Sequence, residues 1–425
     1  MYSSEELQAG AAAVTPFDPA VQRCPFGFYA KLQAESPVYR DPQSGFWMIA
    51  RYDLLKQAAA DVATFSSFFD MRKPDPSAPP TPEELYMKEH GWLVQDFLTQ
   101  ADPPVHTRYR ALVNRIFTPV RVKAMRPYVE ALIDELMAKF IDKGRCDFAR
   151  EFAVPFPMTV IADQLGVPRA DGAKFKFWSD TMISTLGLML TPAQKLEAAK
   201  HIVEFHHYLV ARFEEARAAS PDTIIRDLVR AELDDPETGP RPLSTMELLS
   251  ISQQLLVAGN ETTSSSLMKG LRLLIDRPDV ADELRADPSL IPNFVEEMLR
   301  IDSPVQNIFR KTTRDVELGG VTIPARSIVL LTYGAANRDE AKFPNADRLD
   351  IRRENAKMHV AFGSGIHHCV GAPLAKANMI LAFGKLLAQM DAIALDPAAP
   401  APAHVPNIIV RGLDGLSITF KRRSL

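Results

Sequence analysis

The sequence predicts a mainly helical α+β fold, a large helical body with a small β-rich region built from N-terminal and C-terminal segments. From His106 to about Leu299 the chain is mostly helical in pattern, with breaks such as FAVPFPM, GVPRADG and LDDPETGPRP. Extended patterns gather toward both ends of the chain, so they can pair beside the helices. A chain of 425 residues, 46% hydrophobic and 24% charged, buries a large core, and no linker or repeat divides it. The expectation is a single domain over 1–425, with β-rich parts near 36–75, 305–335 and 395–422 and helices near 100–300 and 370–392.

In chain order, SGFWMIAR (Ser44 to Arg51) alternates like a strand and RYDLLKQAAA after it reads as a helix. Five prolines in RKPDPSAPPTPEE (Arg72 to Glu84) fix φ and remove N–H donors, predicting a surface loop and a lid over 72–98. Ser244 and Glu247 form a capping-box pattern before an apolar run reaching about Ile275. That predicts a helix of about 30 residues, about 45 Å long. Toward the C-terminus, VELGGVTIPARSIVLLTYG mixes β-branched residues with Gly and Pro, and NIIVRGLDGLSITFKR reads as a strand pair around a Gly-containing turn.

A net charge of −4 gives no electrostatic case for nucleic acid as the main partner. Cys24, Cys146 and Cys369 are too few and too scattered for a disulfide framework or a four-thiolate zinc site, which suits a reducing cytoplasm. Glu5 and Glu6 stand where a signal peptide would be basic, and the Ala-rich run after them is too short and weakly apolar to be a membrane anchor.

Four segments carry chemistry. In FGSGIHHCVGAPLAKANM (Phe362 to Met379), Cys369 stands between a Gly-rich loop and a helix start, where free N–H groups and the helix dipole stabilise a thiolate. Such a sulfur is a ligand or a nucleophile. A buried structural cysteine fits the flanking glycines poorly. A zinc site from His359, His367, His368 and Cys369 is disfavoured because two of the histidines are adjacent and no second thiolate follows.

The long helix carries LLVAGNETTSSS at its centre. Gly259, Asn260, Thr262 and Thr263 are weak helix formers, and a hydroxyl can take a backbone carbonyl there, so a distorted turn is expected beside a cofactor. In IPNFVEEMLRIDSP, Arg300 can pair with Glu297 at i, i+3 or with Glu296 at i, i+4. In DPPVHTRYRALV, His106 and Arg110 share one helical face and can both reach an anion. No acidic residue stands between Asp102 and Glu130, while Arg108, Arg110, Arg115, Arg121, Lys123 and Arg126 are basic.

Together these segments resemble the cytochrome P450 family. The loop F-G-x-G-x-H-x-C-x-G is present as Phe362, Gly363, Gly365, His367, Cys369 and Gly371, and A-G-x-[D/E]-T as Ala258, Gly259, Glu261 and Thr262. Ordered motifs cover the chain from Asp102 onward, whereas the first hundred residues fit only in general pattern. The resemblance implies the P450 fold and haem b, with Cys369 as axial ligand of its iron, an arrangement that favours O–O cleavage. It implies that His106, Arg110, Arg310 and His367 meet the haem propionates, that Ala258, Phe362 and Gly363 lie against the haem, and that Glu261 and Thr262 deliver protons. Neighbours on a helix point about 100° apart, so Thr262 can face the oxygen site while Glu261 faces a water route. The family's E-x-x-R motif chooses Glu297 and Arg300, a pair that supports the core and does no chemistry.

The implied enzyme is a haem-thiolate monooxygenase that hydroxylates or epoxidises a small hydrophobic substrate with O2. Terpenoid, steroid, aromatic and fatty compounds stay open. The pocket is expected near Val257, Ala258, Val305, Ile308 and Ile408, with Trp92 to Phe97 near its roof. No flavin or nicotinamide module is visible, so electrons are expected from a ferredoxin and its NAD(P)H-dependent reductase, the ferredoxin docking on the basic segment near the cysteine side of the haem. A peroxide-driven haem enzyme is disfavoured by the Glu261-Thr262 pair. A haem-based gas sensor without turnover is disfavoured because no output domain accompanies the motif.

Overall fold

The computed structural model describes residues 15–69, 79–186, 190–218 and 223–423. By its contacts the chain divides into two compact units, Met1–Ser67 with Met125–Phe156 and Thr262–Leu425, and Phe68–Ala124 with Pro157–Glu261.

The first unit holds a five-stranded sheet in which Trp47–Ile49 pairs with Val38–Arg40 on one side and with Ile328–Thr332 on the other, followed by Asn307–Thr312 and Phe65–Ser66. N-terminal and C-terminal segments thus share one sheet. Its two-residue period sorts the core: Trp47, Ile49, Val329 and Leu331 enter one cluster, while Met48 and Leu330 enter the other with Phe28, Tyr29 and Leu32. This explains why Val329, Leu330 and Leu331 read as an unbroken apolar run, because both faces of the strand are buried.

Helices Arg126–Met137, Ile291–Ile301 and Ala372–Gln389 belong to this unit, the last packing on both others. Ile291–Ile301 buries Ile291, Phe294, Val295, Met298 and Leu299, a one-face spacing, and buries Glu297 and Arg300 as well.

The second unit contains helices Val105–Ile116, Gly172–Leu186, Pro192–Ala218 and Ile224–Arg230 and the N-terminal half of the long helix, Thr245–Asp276. Ser244 and Glu247 close the expected capping box: the Ser244 N–H donates to the Glu247 carboxylate at 2.7 Å, and the Glu247 N–H donates to Ser244 Oγ at 3.3 Å.

The structure corrects three expectations. Arg72–Glu84 is not loop throughout: Pro82–His90 is a helix with Pro82 in its first turn and Thr81 and Glu84 as a second capping box, and the prolines of residues 70–78 lie outside the described residues. LDDPETGPRP is not a mere break: Glu232–Asp235 pairs antiparallel with Gly239–Pro242, a two-stranded ribbon whose edges tolerate proline. In NIIVRGLDGLSITFKR the two strands do not pair with each other. Gly412–Leu413 pairs with His404–Val405, while Ser417–Arg422 lies between Met390–Leu395 and Arg145–Asp147 in a three-stranded sheet. The long helix runs on through Gly259–Thr263. Ser266 Oγ donates to the Thr262 carbonyl at 2.7 Å, so a hydroxyl does bond back to the preceding turn.

Candidate active site

Cys369 sits at the end of a loop with two glycines in left-handed backbone, Gly363 at φ 76° and Gly365 at φ 69°. A Cβ on Gly365 would stand 2.6 Å from the Ala59 carbonyl oxygen, so the loop passes too close to the helix Tyr52–Ala60 for any other residue. The Cys369 N–H donates to the Phe362 carbonyl at 2.8 Å, closing the loop, and the helix Ala372–Gln389 follows at once. The three cysteines differ in setting. Cys146 is buried, and burial raises its thiol far above the usual range; Cys369 is half-buried at the helix start. Cys146 is therefore an inert core thiol, and Cys369 stands accessible at a helix start, the setting of a ligand.

Among the described residues no three His, Cys, Asp or Glu side chains converge as a metal cluster. His359 is taken by Glu296, with Nε2 3.1 Å from Oε2, and His367 Nε2 lies 3.0 Å from Ser67 Oγ. The buried Arg310, on strand Asn307–Thr312, donates to the Phe309 carbonyl at 2.8 Å. Burial raises the Tyr333 phenol, and the Arg310 charge opposes that rise; a Cβ on Gly363 would meet the Tyr333 hydroxyl at 3.5 Å. Arg310, Tyr333 and the cysteine loop are therefore neighbours.

Arg300 grips Glu297 through Nε and NH2 at 2.7 and 2.8 Å, with both side chains fully buried. The spacing ambiguity is resolved, since Glu296 instead holds His359 and Lys376, the latter at 3.0 Å. Two participants escaped the sequence reading. Arg353 Nε donates to Glu297 at 3.0 Å, and Asn337 connects the pair to the cysteine loop. Its carbonyl accepts from Arg300 at 2.8 Å and its Oδ1 accepts from the Val360 N–H at 2.7 Å, while the Val360 carbonyl takes the Gly363 N–H at 2.9 Å. An isolated Asn or Arg carries no sequence signal for such contacts.

On the second unit, His106 is buried and Arg110 half-buried on one face of Val105–Ile116, and Arg110 Nε donates to Asn114 Oδ1 at 2.9 Å. Between them, Tyr109 hydrogen-bonds Glu247 and stacks on Phe97 with ring centroids 4.7 Å apart. Arg241, from the unforeseen strand Gly239–Pro242, grips the same carboxylate at 2.9 Å through NH1 and NH2. Burial alone would raise Glu247, but Arg241, Tyr109 and Ser244 outweigh it and hold its pKa at about 2.

At the centre of the long helix a Cβ on Gly259 would meet Ile161 at 2.9 Å, so glycine here permits close packing. Burial raises the Glu261 carboxyl above its ordinary value, and the nearby Asp180 charge adds to the rise. Asn260 Nδ2 donates to Ser179 Oγ at 3.4 Å, which puts Asp180 next to a residue bonded to the turn carrying Glu261.

Val305 and Ile308 are half-buried against the core cluster that contains Val329 and Leu331. The structure does not group Ile408 with them: it is buried in the other cluster, with Val21, Phe28 and Leu330. In this irregular segment half-buried Val410 is the residue that bridges to Val305. Val257 is half-buried and Ala258 exposed on the second unit, where Trp92 packs edge-on against His207 at 5.1 Å.

A half-buried thiol at a helix start, with a buried guanidinium near its loop, suits a thiolate-bound metal cofactor that carries carboxylates, the chemistry of the haem-thiolate class. The cytochrome P450 family model matches residues 174–396. Cytochrome P450 monooxygenase PikC of Streptomyces venezuelae is 36% identical over 94% of this chain and 91% of its own. The 6-deoxyerythronolide B hydroxylase of Saccharopolyspora erythraea is 36% identical over 92% of this chain and 94% of its own. The structure of cytochrome P450 CYP109Q5 from Chondromyces apiculatus matches with a TM-score of 0.84 at 35% identity, over 98% of this chain and 100% of that one. The chain belongs to the cytochrome P450 family. It is a haem-b-dependent monooxygenase that binds O2 and an organic substrate and takes electrons from a redox partner. No described helix is long and apolar enough to cross a membrane.

Proposed function

We propose that this monooxygenase hydroxylates or epoxidises a small hydrophobic molecule of the terpenoid, steroid, aromatic or fatty type, with electrons from a ferredoxin and its NAD(P)H-dependent reductase. The observation that carries the reading is an acid whose pKa is raised by burial, Glu261, beside the hydroxyl of Thr262 at the centre of the long helix. Haem b supplies dioxygen activation, with thiolate ligation favouring O–O cleavage. Cys369 would hold its iron through the thiolate, Arg310, His367, His106 and Arg110 would take its carboxylates, and Phe362, Gly363 and Ala258 would lie against it. Glu261 holds a proton more readily than an ordinary carboxylate and passes it on, while Thr262 orients the final donor. One oxygen atom enters the substrate and the other leaves as water.

Val305, Ile308 and Val410 on the first unit carry no charge, and neither do Val257 and Ala258 on the second, which supports an apolar substrate. Two relatives are named as a 6-deoxyerythronolide B hydroxylase and a vitamin D(3) 25-hydroxylase, which supports hydroxylation. The basic segment narrows as a docking site: Arg121 pairs with Asp227 and Arg126 with Glu130, so exposed Arg115 and Lys123 are the cations offered to an acidic ferredoxin. The free cysteines suit a reducing cytoplasm.

The test is a panel of apolar ligands scored for spin-state shift, followed by product analysis with a ferredoxin and reductase. Substrate-like shifts with polar or charged compounds only would refute the substrate class. Arg115→Glu with Lys123→Glu is expected to slow first reduction at low salt and flatten its salt dependence. An unchanged rate and salt slope would remove the docking site.

A further inference from the structure

A buried charge cluster ties the segment around Val410 to the long helix. Lys269 lies two turns along the long helix from Thr262 and is 3% exposed. Its Nζ is 3.1 Å from Asp302 Oδ1 and donates to the Ser303 carbonyl at 3.1 Å. Asp302 is shared, because Nε of the buried Arg411 lies 3.2 Å from the same oxygen. Arg411 is also tied through its backbone: its carbonyl accepts from Ser265 Oγ at 2.8 Å, and its N–H donates to the Pro304 carbonyl at 2.8 Å. Its NH1 donates to the Arg23 carbonyl at 2.9 Å.

Desolvating two cations and one carboxylate is costly, and hydrophobic residues of like volume commonly pack at least as well. A network this buried fixes geometry. The element it fixes is the segment before Arg411, where Val410 bridges to Val305 and the Ile409 carbonyl accepts from the Gln306 N–H at 2.7 Å. The anchor point is Ser265, less than one turn from Thr262.

We infer that Arg411, seated on Asp302 together with Lys269, is a positioning residue that clamps the Val410 segment to the long helix and so sets the ligand shapes admitted beside Thr262. This rests on the reading of Val305 and Val410 as pocket wall, and the experiment separates the two ideas.

Haem-loaded protein is titrated with imidazole, which needs little room, and with 4-phenylimidazole, which must fit the wall, both followed by the haem spectrum. Val410→Phe is the control for the wall and is expected to weaken 4-phenylimidazole by about tenfold or more and imidazole by less than about twofold. Arg411→Met is expected to change the 4-phenylimidazole Kd by about fivefold or more with imidazole again within about twofold, and Arg411→Lys to restore most of the difference. If Arg411→Met fails to take up haem, Ser265→Ala carries the test, since it removes only the hydroxyl on the Arg411 carbonyl; a change of about two- to threefold is expected. If Val410→Phe discriminates between the azoles but the Arg411 and Ser265 variants do not, the clamp is overturned. If Val410→Phe affects neither azole, the wall reading falls and the clamp with it.

Discussion

Arg300 and Glu297 form a fully buried, two-bonded pair, and the third arginine nitrogen, NH1, spans the Asn337 and Ala346 carbonyls at 2.8 Å each. The pair is thus joined through Asn337 to the loop that presents Cys369. Support for the cysteine and support for the core are one network.

Arg300→Lys is expected to be severe. A lysine keeps the charge but cannot satisfy Glu297 with two parallel bonds and also reach both carbonyls. Breaking a buried pair costs about 3–5 kcal/mol. Haem content after purification and the thermal midpoint should both fall. Wild-type haem retention and Tm in Arg300→Lys would show that the network is dispensable.

Thr262→Ala and Glu261→Gln should fail differently. Removing the Thr262 hydroxyl is expected to leave NAD(P)H oxidation running while product per NAD(P)H falls about fivefold or more and peroxide appears. Removing the Glu261 proton is expected to lower kcat by about 100-fold, within the usual range for a proton-transfer group. Product yield and turnover are read together in a reconstituted assay. Unchanged yield in Thr262→Ala and unchanged kcat in Glu261→Gln would remove both residues from the proton path.

What was legible in the sequence is what short-range chemistry determines. The Ser244–Glu247 capping box, the unbroken apolar strand Val329–Leu331 and the glycines before Cys369 each carry their reason within a few residues. Partner choice across long separations does not. Ile418 pairs with Cys146, and neither segment names the other, so the sequence alone pairs Ser417–Arg422 with its nearest neighbour instead. Arg300 had two carboxylates at helical spacing, and the choice depends on Arg353, His359 and Lys376, which arrive from elsewhere in the chain. The segment around Ile408 lacks a repeating period, so sequence alone does not say which of its residues joins which apolar cluster.

Glu247 makes acid stability a local matter. Its carboxyl is held at about 2 against an ordinary 4.5, so the ionised form is the one the fold prefers. The stabilisation is fully present above about pH 4.5 and is lost as pH falls from there toward 2. Its size is on the order of 3 kcal/mol. Glu247→Gln should therefore be less stable than wild type at pH 7, with the gap closing as the pH is lowered through that window. A gap in urea unfolding free energy that stays constant from pH 6 to 3 would count against the Arg241–Glu247–Tyr109 network as its source.

Lys269 gives the opposite sign. Burial pushes its ammonium down to about 8 from 10.5, so the fold prefers the neutral amine, even though Asp302 opposes the shift. Holding it charged is a cost fully present below about pH 8 and relieved as pH rises toward 10.5. Arg411 remains beside Asp302 when Lys269 is removed, and burial pushes His404 to about 4, which leaves it neutral across this window. Lys269→Met, which keeps the volume, is expected to raise stability by about 1–3 kcal/mol at pH 7. That advantage should shrink between pH 8 and 10 as the wild-type amine loses its proton. Urea unfolding of the haem-loaded protein at both ends of the window reads it out. A variant less stable at pH 7 would mean that the Asp302 contact outweighs the desolvation of Lys269, and that the cluster is retained for its own strength and not for the geometry it imposes.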